Sequence, residues 1–273
     1  MTRPDTELSD TASWLPLDGL APGFDANRAE FSDQLLGREF TLLDADQRAT
    51  GYRCGPDRVF LSPAGGPETS YRYEAFDVAE GLYYVQLDCG SRLVEGTAGS
   101  ISLFLDTFAG RALTVVSQLG EAGSRPRLRQ LFSTAIIDDA GIPAGIEPAP
   151  TSSLIGRRVL WEYSTAHAYE HLYLSPHWYT WQCLAGPERG LADTDECSTY
   201  ELRPGIYVFT WREKVIPCAA VTIADHRDVR NLRSHGMLYG LDATGEAALQ
   251  FTFGAYGRLL SSTVHPEQFD PAR

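Results

Sequence analysis

Tyr200-Glu201-Leu202-Arg203-Pro204-Gly205-Ile206-Tyr207-Val208-Phe209-Thr210-Trp211-Arg212-Glu213-Lys214 decides the reading of the chain. Pro204-Gly205 punctuates a turn, and the β-branched and aromatic run that follows has strand composition. Side chains alternate across a strand, so Tyr207, Phe209, Trp211 and Glu213 share one face and Val208, Thr210, Arg212 and Lys214 the other. The same signature occurs earlier, within Tyr71–Leu87. There Gly81-Leu82-Tyr83 stands 124 residues before Gly205-Ile206-Tyr207. A second pair agrees: Leu35-Leu36-Gly37-Arg38 precedes Leu154-Ile155-Gly156-Arg157 by 119. Two near-equal offsets predict an internally duplicated domain with small insertions.

Further strands are expected at Gly156–Tyr163, Tyr169–Leu174, Trp178–Leu184 and Ala219–Asp225. Helical periodicity shows only as a hint at Arg127–Phe132. The expected class is all-β, each half an antiparallel barrel or sandwich of six to nine strands; a barrel of about eight can hold one small ligand. The division predicted is an N-terminal arm over 1–33, a first unit over 34–145 and a second over 146–273. The arm reads as loosely held, with at most a short helix near Asp25–Gln34. Asp138–Ser153, dense in Pro, Gly and small residues, reads as a linker.

Across 273 residues the net charge is −13, which argues against nucleic-acid or membrane-surface partners. No apolar run suffices for a membrane-spanning helix, and the acidic first 30 residues predict no signal peptide. The cysteines number five, an odd set without a C-x-x-C. They read as reduced, buried thiols in a cytoplasmic protein. Cys183, Cys197 and His171 lack a zinc-ligand rhythm. His167 and His171 lie on a strand, so H-x-x-x-H metalloprotease logic does not apply. Gly186–Cys197, with Glu188, Asp193, Asp195 and Glu196, reads as a solvated acidic turn, with a hard cation as the alternative. No metal and no cofactor is expected.

Glu213 ends the aromatic stripe. If that face is interior, its carboxyl is kept from water, its pKa rises and it can serve as a general acid or base. The alternative puts it at a barrel rim, paired with Arg212 or Lys214. The same parity joins Trp161 with Tyr163; Tyr169, His171 and Tyr173; and Tyr179, Trp181 and Cys183. Rings with polar tips suit a ligand pocket, and equally a plain aromatic core. In the first half Leu42, Asp44 and Cys89 stand where the second has Trp161, Tyr163 and Glu213. The second half is therefore the candidate site.

Four strings carry a resemblance: Tyr169–Leu174 (YEHLYL), Tyr179–Cys183 (YTWQC), Gly186–Asp195 (GPERGLADTD) and Trp211–Lys214 (WREK). With them the second half resembles the MoaF family, usually labelled molybdenum cofactor biosynthesis protein F; a weaker match runs through 35–145. The resemblance implies two tandem lipocalin-like (calycin) antiparallel β-barrels. Residues 155–213 are also distantly similar to phenolic acid decarboxylases, single calycin barrels without a cofactor. Ile155-Gly156, Tyr163, Tyr169-Glu170 and Trp211-Arg212-Glu213 fall in that order. Trp161 replaces the first Tyr of that family's Tyr pair, and Leu191 takes the Arg position, with Arg189 two residues earlier. The second likeness implies Glu213 as acid/base and Tyr163 as hydrogen-bond donor; with the strand-parity sets, the candidate catalytic residues are Glu213, Tyr163, Tyr169 and His171, and the candidate substrate-binding residues Trp161, Trp181, Tyr207, Trp211 and Arg189. A lyase or isomerase acting on a small aromatic or unsaturated molecule is the function expected. A non-catalytic small-molecule-binding or accessory protein linked to cofactor assembly is the alternative. The expected partner is a small molecule, and a homodimer is one option for assembly.

Overall fold

A computed structural model describes residues 10–89, 93, 94, 97–138 and 144–273. The first half holds β1 (Glu39–Leu43), β2 (Ala49–Cys54), β3 (Arg58–Pro63), β4 (Thr69–Ala79), β5 (Leu82–Asp88), β6 (Leu93–Val94), β7 (Thr97–Asp106), β8 (Arg111–Leu119) and β9 (Leu128–Ile137). The second holds β10 (Ala149–Pro150), β11 (Arg157–Glu162), β12 (Ala168–Tyr173), β13 (Trp178–Ala185), β14 (Ala192–Arg203), β15 (Ile206–Arg212), β16 (Cys218–Asp225), β17 (Leu232–Leu241) and β18 (Ala248–Ser262).

Neighbouring strands pair antiparallel. β1–β9 and β5–β7 close the first set, β11–β18 and β14–β15 the second, while β6 and β10 are short additions. The result is two closed eight-stranded barrels in tandem, which leaves neither main sheet with a free edge. The five strand positions expected in the second half match β11, β12, β13, β15 and β16 to within one residue at each end.

The duplication is visible in the turns. Gly81 joins β4 to β5 at φ +67° and Gly205 joins β14 to β15 at φ +80°, a backbone state that favours glycine. Each hairpin then carries a bulge at the same place, Asp77/Ala79 and Glu201/Arg203. Leu35 and Leu154, just ahead of each barrel's first strand, are both buried.

Tyr207, Phe209 and Trp211 face the interior of the second barrel. Ile206 and Val208 face outward, yet they are equally buried, because the barrels pack wall to wall. Ala219, Val221, Ile223, Met237 and Tyr239 meet Phe76, Leu82, Tyr84, Phe104, Leu113 and Val115 there. β15, β16 and β17 thus lie on their counterparts β5, β7 and β8. Burial on both faces explains why β15 and β16 carry apolar side chains on their outer as well as their inner positions. Across the seam Arg203 holds Asp106 in two hydrogen bonds of 2.6 and 2.7 Å, and Gln130 Nε2 donates to Ala220 O at 2.9 Å.

Three expectations need correction. Arg127–Phe132 is not helical but begins β9, whose register on β8 overrides a weak local period. Asp25–Gln34 forms turns and extended chain, and the helix lies earlier, as α1 (Leu17–Leu20). The arm is also not loose over its described part. Leu17, Leu20 and Phe24 are buried in the second barrel's core, and Asn27 Nδ2 donates to Glu162 O at 2.8 Å. Its apolar side chains are too sparse to show helical periodicity, but Leu17, Leu20 and Phe24 land in a core rich in aromatic rings. Residues 1–9 of the arm and 139–143 of the linker lie outside the described residues. No helix among the described residues is long and apolar enough to cross a membrane.

Candidate active site

Inward-facing positions of neighbouring strands converge near the end of β15. Tyr169 and His171 come from β12, Tyr179 and Trp181 from β13, Trp211 from β15, Leu238 from β17 and Phe253 from β18. Tyr163 follows β11, Glu188 lies in the β13–β14 turn, and Glu213 follows β15. Together with Leu20 and Phe24 of the arm they line a cavity of about 40 Å³. By that measure one water needs about 10–15 Å³, so the space has room for a few waters, and the arm forms part of its wall. The Phe24 ring lies 4.8 Å from that of Tyr163 and 5.8 Å from that of Tyr169.

Glu213 is part-buried as a residue, and its carboxyl lines the cavity. Trp211 Nε1 donates to Glu213 Oε1 at 3.3 Å. Arg212 and Lys214, the partners considered for it, are engaged outside, Arg212 with Glu196 and Lys214 with Asp193. Burial, then the neighbouring Asp195 and Glu188, push the Glu213 carboxyl up to about 8.

Two further acids share this region. Tyr169 Oη donates to Glu188 Oε2 at 2.9 Å, and burial raises the Glu188 carboxyl above its ordinary range. Asp195 is fully buried; it accepts from Trp181 Nε1 at 2.9 Å and from the Lys214 backbone N–H at 3.0 Å. Burial lifts it to about 6, against the pull of the indole bond. Acids of unequal pKa in one site leave one ionised while another keeps its proton. Burial holds His171 down to about 3, so its imidazole is neutral, and it leaves Nδ1 with no partner among the described residues. Burial raises the phenols of Tyr163, Tyr169 and Tyr179, which stay protonated.

Glu213, Tyr163, Tyr169, His171, Trp181 and Trp211 are therefore brought together. Three expected members are not. Arg189 is exposed on the β13–β14 turn, where Gly190 and Leu191 curl back onto Cys183 and leave its side chain in solvent. Trp161 is buried but packs edge-on against His226, 5.7 Å between ring centroids, over the space left by Gly257 across the strand pair. Tyr207 also packs on His226, at 5.6 Å, under the Arg157 guanidinium. It is the second residue of β15, six residues from Glu213.

The acidic segment 186–197 is not a solvated turn. Residues 192–203 form β14, whose register puts Asp195 opposite Tyr179, facing inward. Parity carried from Cys197 back to Asp195 was the available signal; four acids in ten residues masked it. Among the described residues no three His, Cys, Asp or Glu side chains converge as a metal group requires. All five cysteines are buried and unpaired, and Cys218 faces Glu213.

Fold and site define a protein of two tandem calycin-like barrels, the second enclosing an aromatic cavity with buried acids. The chain belongs to the MoaF family: the MoaF N-terminal domain matches residues 12–121 and the MoaF C-terminal domain residues 148–263. It is similar to Protein MoaF of Klebsiella aerogenes, 40% identical over 121 residues. That alignment covers 44% of this chain and spans 45% of the relative's length. Among solved structures it is similar to a protein of unknown function of the DUF3598 family from Nostoc punctiforme, at 14% identity and a TM-score of 0.41. The match covers 83% of this chain and 97% of that one.

Proposed function

We propose that the second barrel is a cofactor-free acid/base catalyst, a lyase or isomerase acting on a small aromatic or unsaturated molecule. One observation carries this reading: the Glu213 carboxyl is held out of water in a ring-lined cavity that also contains Tyr163, Tyr169 and His171. A carboxyl raised to about 8 keeps its proton at neutral pH and gives it up readily to a carbon or leaving group. Glu213 is assigned as the acid that donates this proton and, in an isomerase, takes one back from the neighbouring carbon. Tyr163 supplies a neutral hydrogen-bonding phenol. Tyr169 positions Glu188. The rings of Trp181, Trp211 and Phe253 bind a flat substrate.

The test is turnover by Glu213→Gln, on whichever aromatic or unsaturated compounds a screen finds the wild-type protein to convert. Loss of about 10²–10⁴ in rate with the melting profile retained supports the assignment. Undiminished turnover by the variant removes it.

A further inference from the structure

We infer that the second-barrel cavity receives an organic cation, a small primary ammonium ion on an aromatic or unsaturated framework, whose charge is met by Glu188. This rests on the reading of that barrel as the working site and adds the charge of its substrate.

Polarity comes first. The acidic side chains lining the cavity are Glu188 and Glu213, the second holding its proton at neutral pH; none of the described lining residues is Lys or Arg. The nearest bases are turned away. Lys214 Nζ is on Asp193, Arg212 on Glu196, and Arg158 is bound in two 2.7 Å hydrogen bonds to Glu170 on the outer face. An anion entering here would be buried beside the Glu188 carboxylate with no counter-charge, the costliest arrangement for an ion.

Hydrogen-bond capacity points the same way. The donors of Tyr169, Trp181 and Trp211 are already engaged by Glu188, Asp195 and Glu213. What remains is the second oxygen of Glu188, a full acceptor, beside the Tyr163 and Tyr179 phenol oxygens and the unpartnered Nδ1 of His171, each able to accept. His171 is only 5% exposed, lines the cavity and has no partner there among the described residues. An ammonium group carries three donors and no acceptor, which complements that set. The surrounding Trp and Tyr rings present the π-faces on which organic cations rest. Phe24, 5% exposed and set against Tyr163, Tyr169 and Phe253, fills ring-sized space beside the acids, and a ligand's ring takes that space by displacing it.

The experiment is a charge ladder on one framework. Benzylammonium, benzyl alcohol and benzoate are titrated into the full-length protein by calorimetry, at pH 7 and fixed salt. Benzylammonium should bind best and benzoate worst. Glu188→Gln should weaken benzylammonium by about 30-fold or more, the effect of deleting one side of a buried charge pair, and leave benzyl alcohol nearly unchanged. Equal binding of the three, or preference for benzoate, overturns the inference. The ladder uses the intact protein, so it decides even where Glu188→Gln fails to fold; Tyr169→Phe, which keeps the carboxylate, should retain the preference. Failure here is distinct from failure of the catalytic reading. Preferential binding of the cation with turnover indifferent to Glu213→Gln leaves this inference standing and removes that one. Turnover of anions abolished by Glu213→Gln does the reverse.

Discussion

Trp211 and Glu213 stand two residues apart on the interior face of the second barrel, the indole N–H donating to the carboxyl at 3.3 Å. The bond is long and favours the ionised form, yet burial wins and the carboxyl rises from 4.5 to about 8. Between those values the folded protein holds a proton that the unfolded chain has released, so this group's stabilisation is full below 4.5 and falls as pH rises to about 8. His171, His226 and His235, each held to about 3, act oppositely, losing stability as pH falls below 6.5. The clean window is therefore pH 6.5–8. There the wild-type protein should lose up to about 2 kcal/mol by urea unfolding, and Glu213→Gln, which keeps an acceptor for the indole, should flatten the decline.

The same proton should govern rate. Glu213 faces Asp195, Glu188, Cys218, Tyr163 and Tyr179, and among these the phenols and the thiol stay protonated through neutral pH. With Glu213 as acid, kcat/KM should fall above about pH 8, and Glu213→Gln should remove that limb along with most of the activity. A profile flat from pH 7 to 9 would assign the proton transfer elsewhere.

How much of this was legible without coordinates varies by residue. The Gly81 and Gly205 signatures found the same hairpin in each half because a tight turn leaves few residue choices. Parity found the inner face of β15 because one strand is rigid enough to carry alternation from Tyr207 to Glu213. It could not tell that Tyr207 and Glu213 serve opposite ends of the barrel, since parity gives a face and no depth. Asp195 was missed because composition outvoted alternation: acids close together read as solvent, and a buried acid contradicts that prior until its indole and backbone donors are seen. Arg189 was expected inside on a displaced motif, and one residue's shift in a turn redirects a side chain completely. The arm's role was illegible, because nothing local tells Phe24 which barrel it will cap.

The seam between the barrels supplies a stability test. Asp106 is buried, and Arg203 meets it with two charge-assisted bonds while also donating to Glu80 O at 3.0 Å. Removing one member leaves the other without its counter-charge, which costs about 3–5 kcal/mol for a buried pair. Arg203 keeps some solvent, so Asp106→Ala should cost about 3 kcal/mol by urea unfolding. Arg203→Ala should cost more, because it strands the more deeply buried carboxylate. If Asp106→Ala unfolds like wild type, the apolar contacts alone fix the docking of the two barrels.

Phe24 gives the sharpest test of how the cavity is closed. Its ring lies within 6.3 Å of the rings of Tyr163, Tyr169, Phe251 and Phe253, and Gly23 beside it, at φ +88°, lets the chain pass against His167. Deleting a buried phenyl costs about 3–5 kcal/mol where the surroundings cannot collapse. The barrel wall is a closed hydrogen-bonded cylinder and cannot, but the arm is a single segment and can settle inward, so Phe24→Ala should fall near 3 kcal/mol. The ring-sized space left would open directly onto the cavity beneath Glu188 and Glu213. Benzene, which occupies apolar voids of this kind, should therefore raise the melting temperature of Phe24→Ala by clearly more than that of wild type, where a ring must first displace Phe24. Phe31, farther along the same arm and 54% exposed, is the control: Phe31→Ala should be milder and respond to benzene as wild type does. If the two variants behave alike, the second barrel is sealed by its own rim and the arm merely lies upon it.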